Sequence, residues 1–251
     1  MKRALVLSGG GLFGAWQVGA WSVLREHVPF DVVIGVSIGA LNGWAIAGGA
    51  TPDQLASKWL NVAAKGRLKL RLPLRPFDGI VEFSQIEGFI RDIYDSYQPQ
   101  MEFYAILTEL FRLRPTLVEG KNMEWRHLAG SCAMFGLLPQ QRIGNVLYTD
   151  GGLLGAMPMW AAAQLQATHA IGLNVMPKMP WPVRAAVTCL RMIRTRPDRL
   201  RENHVMLSPS QSLGHWKGGA LYHHAWVEEW MRQGREDAAA AIRSGSLAFL
   251  T

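Results

Sequence analysis

Cysteine is nearly absent: the 251-residue chain has two, Cys132 and Cys189. Two thiols make no disulfide framework, which favours a reducing, cytoplasmic setting. Charge is sparse as well. Only 18% of residues are Asp, Glu, Lys or Arg, against 49% apolar, a balance that excludes a disordered chain. No internal repeat or low-complexity tract occurs, which excludes solenoids and arrays. No His/Cys/Asp/Glu cluster has metal-ligand spacing, and neither metal nor cofactor is expected. A secretory leader is not read at the N-terminus, because only Ala4–Ser8 separates the basic Met1–Arg3 from a run of glycines.

Two long stretches lack charge altogether, Ala4–Leu24 and Val32–Pro52. Each is long enough to cross a bilayer. Each also carries five glycines and breaks at a polar Gly/Ser cluster. Both are therefore read as a buried strand followed by a buried helix. The net charge of +7 is concentrated. Lys65–Arg75 has five basic residues and no acid, and Lys178–Arg201 has seven basic residues and one acid. These stretches, Arg184–Arg201 within the second, suit an anionic surface. Neither is rich in stacking aromatics, so nucleic acid is not expected as a partner; peripheral contact with a membrane fits better.

Strand–turn–helix opens the chain twice, through "ALVLS" and "FDVVIGVS", the second a near-continuous apolar run suited to a parallel sheet buried on both faces. Thr51–Met123 is weaker. A helix starts at Thr51-Pro52 with Thr51 as cap, and an amphipathic helix starts near Ser84. This region is expected to form helices and loops flanking a site. The α/β pattern then returns. "WRHLAGSCAMFGLLP" reads as a short helix and loop, and "IGNVLYTDGG" as a hairpin or a strand ending in a tight turn. "PMWAAAQLQAT" reads as a helix and "HAIGLNVMP" as a strand. A long C-terminal helix follows, interrupted or loosened at Gly234.

Three motifs carry chemistry. Gly9-Gly10-Gly11-Leu12-Phe13-Gly14 follows a strand and precedes a helix. Glycine there exposes backbone N–H groups, which suit a phosphate or a developing oxyanion. It matches the dinucleotide pattern G-x-G-x-x-G literally. The acid that should bind ribose belongs at the far end of the second strand, and Asp31 opens that strand instead. Gly35-Val36-Ser37-Ile38-Gly39 is a G-x-S-x-G between strand and helix. Its glycines allow a sharp turn presenting the Ser37 hydroxyl, with the Ile38 N–H as a plausible oxyanion donor; the bland alternative is a helix-capping serine. Asp150-Gly151-Gly152 alone is an ordinary turn signal. A Ser-His-Asp triad would draw on His169, His204, His215, His223 or His224.

Taken together, the three motifs resemble the patatin-like phospholipase family. The resemblance covers roughly residues 4–50 and 127–177, including Gly130–Val175 around the aspartate. It implies a three-layer α/β/α sandwich with a mainly parallel central sheet, one domain over residues 1–251 with 51–123 as a variable cap. It implies a serine esterase of lipid metabolism, a lipid acyl hydrolase with a lipid or acyl-ester substrate. Ser37 would be the nucleophile and Asp150 its base, a dyad without histidine. Gly9, Gly10 and Gly11 would supply N–H groups to the oxyanion, with Gly14, Gly35, Gly39, Gly151 and Gly152 completing the motifs. The chain departs from the family at Phe13, commonly basic there, at Gly155 and Ala156, commonly asparagines, and at Phe135, often proline.

Overall fold

Residues 1–64, 69–75, 77–176, 203–214 and 224–248 are described in a computed structural model of the chain. Cys189, His215, His223, the whole basic stretch Lys178–Arg201, and Lys65 and Arg67 of the other lie outside these residues, so the expectations attached to them are not addressed by the structure.

The two uncharged stretches form strand–helix pairs. β1 (Arg3–Leu7) leads through a short 3₁₀ turn at Gly11–Phe13 into α1 (Gly14–Leu24), and β2 (Val32–Val36) leads into α2 (Ile38–Ala47). α3 (Pro52–Ala64) begins where the Thr51 cap predicts. The Thr51 Oγ1 accepts the Gln54 N–H at 3.2 Å, and the Gln54 side chain returns a bond to the Thr51 N–H at 2.9 Å. α4 (Ser84–Ser96) follows.

Thr51–Met123 departs from its expected form. It contributes β3 (Glu102–Glu109) and β4 (Arg114–Glu119), so it builds the sheet rather than only flanking it. The alternation in "EFYAILTE" is short, and part of it is buried on both faces, which blurs the period-2 signal. The chain continues through α5 (Trp125–Ser131), the hairpin β5 (Gln141–Ile143) and β6 (Val146–Asp150), α6 (Met159–Gln164), β7 (His169–Leu173), β8 (His204–Leu207) and α7 (His224–Arg243).

The eight strands form one sheet in the order β5-β6-β3-β2-β1-β7-β8, with β4 paired to β3. Pairs β1–β2, β2–β3, β1–β7 and β7–β8 are parallel, while β3–β4, β3–β6 and β5–β6 are antiparallel. The fold is thus α/β with a mixed, mainly parallel sheet. Strand alternation divides the core. Leu5 and Leu7 pack with α1, α2, α3 and α7, while Ala4 and Val6 pack on the other face with Ala161 and Ala162 of α6.

Gly234 does not interrupt the last helix. α7 runs through it, and a Cβ there would stand 2.1 Å from the Trp16 carbonyl oxygen. Gly19 on α1 is its counterpart, 2.0 Å from the Met231 oxygen by the same test. The two glycines let α1 and α7 approach backbone to backbone, and the packing that results outweighs a single residue's weak helix propensity.

Candidate active site

β2 ends one residue before Ser37, which sits at φ 56°, ψ −129°. That region is sparsely populated for a side-chain-bearing residue and costs about 1–3 kcal/mol unless its surroundings enforce it. Here they do. The Ser37 N–H donates to Ser131 Oγ at 2.9 Å, and Ser131 Oγ donates to the Ile106 carbonyl at 2.7 Å. α5 thereby ties the elbow to β3. The flanking glycines are demanded by close approach: a Cβ on Gly35 would lie 2.2 Å from the Gly39 oxygen, and one on Gly39 2.5 Å from the Leu7 oxygen.

Asp150 reaches this point through the sheet. β4 occupies one edge of β3 along residues 104–109. The other edge is shared end to end: β2 pairs with residues 102–106, and β6 takes over at 107–109. Val36 pairs with Ile106, and Asp150 pairs with the next residue, Leu107. Two strands pointing at each other along one edge bring together side chains more than a hundred positions apart. Gly151 allows the abutment, since a Cβ there would meet the Ile106 oxygen at 2.1 Å and Val36 Cγ2 at 2.6 Å.

Ser37 and Asp150 are both buried, each 7% exposed. Desolvation pushes the Asp150 carboxyl up to about 6, opposed by hydrogen bonds from the Ser37 side chain and from the Gly152 N–H. The latter donates to Asp150 Oδ1 at 2.6 Å. Cys132 stands beside the pair. Burial first, then the neighbouring Asp150 charge, pushes its thiol well up, against a hydrogen bond with Ser37. It is therefore a neutral thiol at ordinary pH and no competing nucleophile.

The glycine loop lies against the elbow, a Cβ on Gly9 falling 3.2 Å from that of Ser37. Its donors are fewer than the three glycines suggest. The Gly9 N–H is spent on the Ala156 carbonyl at 2.9 Å. The N–H groups of Gly10 and Gly11 have no acceptor among the described residues. The N–H of Ile38, first residue of α2, is likewise uncommitted there.

A buried chain of amides underpins the loop. Gln17 Nε2 donates to the Ser8 carbonyl at 2.9 Å and the Leu173 carbonyl at 3.2 Å. Asn42 Nδ2 donates to Gln17 Oε1 at 3.0 Å and to the Gly14 carbonyl at 2.9 Å, and Trp59 Nε1 donates to Asn42 Oδ1 at 2.9 Å. Ser8 Oγ accepts the Val175 N–H at 3.0 Å. The loop is held from α1, α2, α3 and β7 at once. Gly14 also leaves room for the start of α2, where its Cβ would meet Ile38 Cγ1 at 2.7 Å.

Other sequence-level readings separate cleanly. Phe13 is core, 5.0 Å edge-to-face from Trp230 of α7. Phe135 is exposed. Asp31 accepts the Arg3 N–H at 2.7 Å at the start of β2, the end of the sheet away from the glycine loop. His169 and His204 begin β7 and β8 at that same far end, and His224 pairs with Glu228 at 3.4 Å. Among the described residues, no histidine is among the groups acting on Asp150. Gln17, Asn42, Trp59 and Ser131 escaped notice in the sequence. A signal for two of them existed: Gln17 and Asn42 are amides inside stretches otherwise almost wholly apolar.

A family model for patatin-like phospholipases matches residues 5–163 of the chain. Patatin-like phospholipase domain-containing protein 7 of Rattus norvegicus is 30% identical over 185 residues, covering 68% of this chain and 13% of that protein. Lysophospholipase nte1 of Aspergillus terreus is 29% identical over 157 residues, 60% of this chain and 10% of the other. The chain therefore spans a small part of the length of these relatives. The crystal structure of VipD from Legionella pneumophila matches with a TM-score of 0.55 at 11% identity, covering 97% of this chain and 67% of that one, a likeness of fold.

Proposed function

The chain belongs to the patatin-like phospholipase family, and from that premise we propose that it is a serine acyl-ester hydrolase working through a Ser37–Asp150 dyad on lipid esters. The observation that carries the proposal is the shared edge of β3, which buries a strained serine against a carboxyl raised to about 6.

Chemically, Ser37 Oγ attacks the ester carbonyl carbon while Asp150 takes its proton. A carboxylate with a pKa near 6 is a better base than one near 4 and is still ionised at pH 7; a positioned base contributes roughly 10²–10⁴-fold. The carbonyl oxygen becomes an oxyanion, received by the N–H groups of Gly10, Gly11 and Ile38, each worth about 10²–10³ in rate where such donors have been removed. Collapse breaks the ester C–O bond, and the leaving alkoxide takes the proton from Asp150. Water then attacks the acyl-Ser37 carbonyl and gives its proton to Asp150. The acid departs, and Ser37 Oγ takes the proton back.

The lysophospholipase relative makes a single-chain phospholipid a reasonable substrate class to test first. Among the described residues no helix is long and apolar enough to cross a membrane. The basic stretches Lys65–Arg75 and Arg184–Arg201 favour peripheral contact with an anionic lipid surface. A short-to-long p-nitrophenyl ester series tests the chemistry. Ser37→Ala is expected to lose roughly 10³-fold or more in kcat, and Asp150→Asn about 10²–10⁴-fold. Wild-type turnover in both variants would overturn the assignment.

A further inference from the structure

Three segments distant in sequence meet beside the site and leave large apolar side chains in water. Leu70, Leu72 and Leu74 are 77%, 86% and 90% exposed, and Phe111 is 74% exposed. Isolated exposed leucines need no explanation, but a contiguous apolar patch does. These form a patch. The Phe77 ring lies 5.8 Å from Phe111 and 6.5 Å from Phe135. Leu70 bridges to Val81, whose N–H donates to the Leu137 carbonyl at 3.0 Å, and the Gln140 N–H donates to the Phe77 carbonyl at 2.9 Å. The patch is joined to the site by backbone: the Ala133 carbonyl accepts the Asp150 N–H at 2.9 Å, and Met134 and Phe135 follow directly.

The charges of the exposed stretch 69–75 have one sign. Lys69, Arg71 and Arg75 alternate with the leucines in a stretch that is exposed throughout. Asp78, the acid nearest in sequence, is engaged by the backbone, accepting the Arg75 N–H at 3.0 Å. Leucines interleaved with cations match a surface that is anionic outside and apolar a few ångströms deeper, which is what a bilayer with anionic headgroups presents. Long basic side chains lie along such a boundary with their charge in the headgroups.

We propose that this rim seats the protein on an anionic bilayer, Leu72, Leu74 and Phe111 entering the acyl boundary while Lys69, Arg71 and Arg75 meet headgroup phosphates. The proposal rests on the reading of the adjoining site as a lipid acyl hydrolase, because seating here presents acyl esters at its mouth.

Cosedimentation with phosphatidylcholine vesicles, with and without phosphatidylglycerol, tests it alongside turnover of a soluble short-chain ester. Wild type is expected to bind the phosphatidylglycerol vesicles preferentially. Leu72→Ser/Leu74→Ser/Phe111→Ser should weaken that binding at least tenfold. Arg71→Gln/Arg75→Gln should weaken it about fivefold per cation removed. Both variants should keep wild-type turnover of the soluble ester. Unchanged vesicle binding in both variants, or equal binding to vesicles lacking phosphatidylglycerol, would overturn the proposal. So would loss of soluble-ester turnover in step with binding, or a dimer that the apolar variant converts to monomer. Ser37→Ala separates the two readings, since it should bind vesicles and hydrolyse nothing. Wild type that binds vesicles but cleaves no ester would sink the hydrolase and leave the rim; the reverse would sink the rim and leave the hydrolase.

Discussion

At the floor of the site the polar side chains of Ser37, Asp150, Ser131 and Gln17 are all under 10% exposed, while at the rim Leu72 and Leu74 are 86% and 90% exposed. The usual distribution is inverted in both places, and each inversion has a use. Burial is what raises the Asp150 carboxyl, and a polar group can stay buried only if its partners are complete. The Ser131 and Gln17 bonds supply that completion. At the rim nothing is completed. Apolar side chains left in water retain free energy that is released only against another apolar surface. Rigid chemistry and unspent apolar area thus sit next to each other, joined at Ala133.

The comparison is broken most forcefully at Asp150. With a folded pKa of about 6, kcat/KM on a soluble ester should fall about tenfold per pH unit below 6, as the base is protonated. The same shift bears on stability, with the opposite sign. The folded carboxyl is raised above its ordinary 3.8, so the native state holds the proton more tightly than the unfolded chain. The contribution of Asp150 to stability is then most favourable below pH 3.8 and declines as pH rises to about 6, by up to ~3 kcal/mol. Asp150→Asn carries no charge to desolvate and keeps an oxygen for the Gly152 N–H. Its melting temperature should exceed wild type above pH 6 and converge with it toward pH 4, in a calorimetric pH series. A variant less stable than wild type at pH 8 would mean that burial of the charge is not what shifts this carboxyl.

Much of the floor was legible in the sequence, because its chemistry is local. The elbow needs Gly35 and Gly39 within two residues of Ser37, and the glycine loop needs no partner to be recognised. Asp150 was legible only through resemblance: that its strand meets β2 end to end along β3 is a fact of pairing, and β3 itself was hidden in the region expected to flank the site. Gly9 looked equivalent to Gly10 and Gly11, and only the Ala156 carbonyl distinguishes it. The rim was half legible. The basic and apolar alternation of Lys65–Arg75 is plain to the eye, but Phe111 and Phe135 join it through tertiary contacts that no local pattern encodes.

Within the floor, Gln17 and Asn42 sharpen the contrast at intermediate size. They share a hydrogen bond, so Gln17→Leu removes the side-chain donor to the Ser8 carbonyl and the acceptor of one Asn42 N–H, and leaves the Leu173 carbonyl with the Ser8 N–H alone. A loss of about 1–3 kcal/mol is expected from the first substitution by urea denaturation. The double variant Gln17→Leu/Asn42→Leu should cost less than the sum of the two singles, because the pair shares one hydrogen bond. Because both tether the glycine loop, and that loop is proposed to receive the oxyanion, kcat should fall more than KM rises. Additive losses, or a KM effect with kcat intact, would mean that the chain of amides is packing rather than support for the loop.

The smallest expected effect is at the rim and is the most discriminating. Leu72→Ser and Leu74→Ser remove side chains that are almost entirely in water already, so the folded and unfolded states lose nearly the same exposed area. Stability should change by less than about 0.5 kcal/mol. Urea midpoint and slope both serve as readouts, since a patch that shields part of the core would change the slope on substitution as well. A loss of 2 kcal/mol or more, the size expected for a buried leucine, would show that these leucines belong to the folded core. The division between a locked floor and an unspent rim would then dissolve, even with the dyad intact.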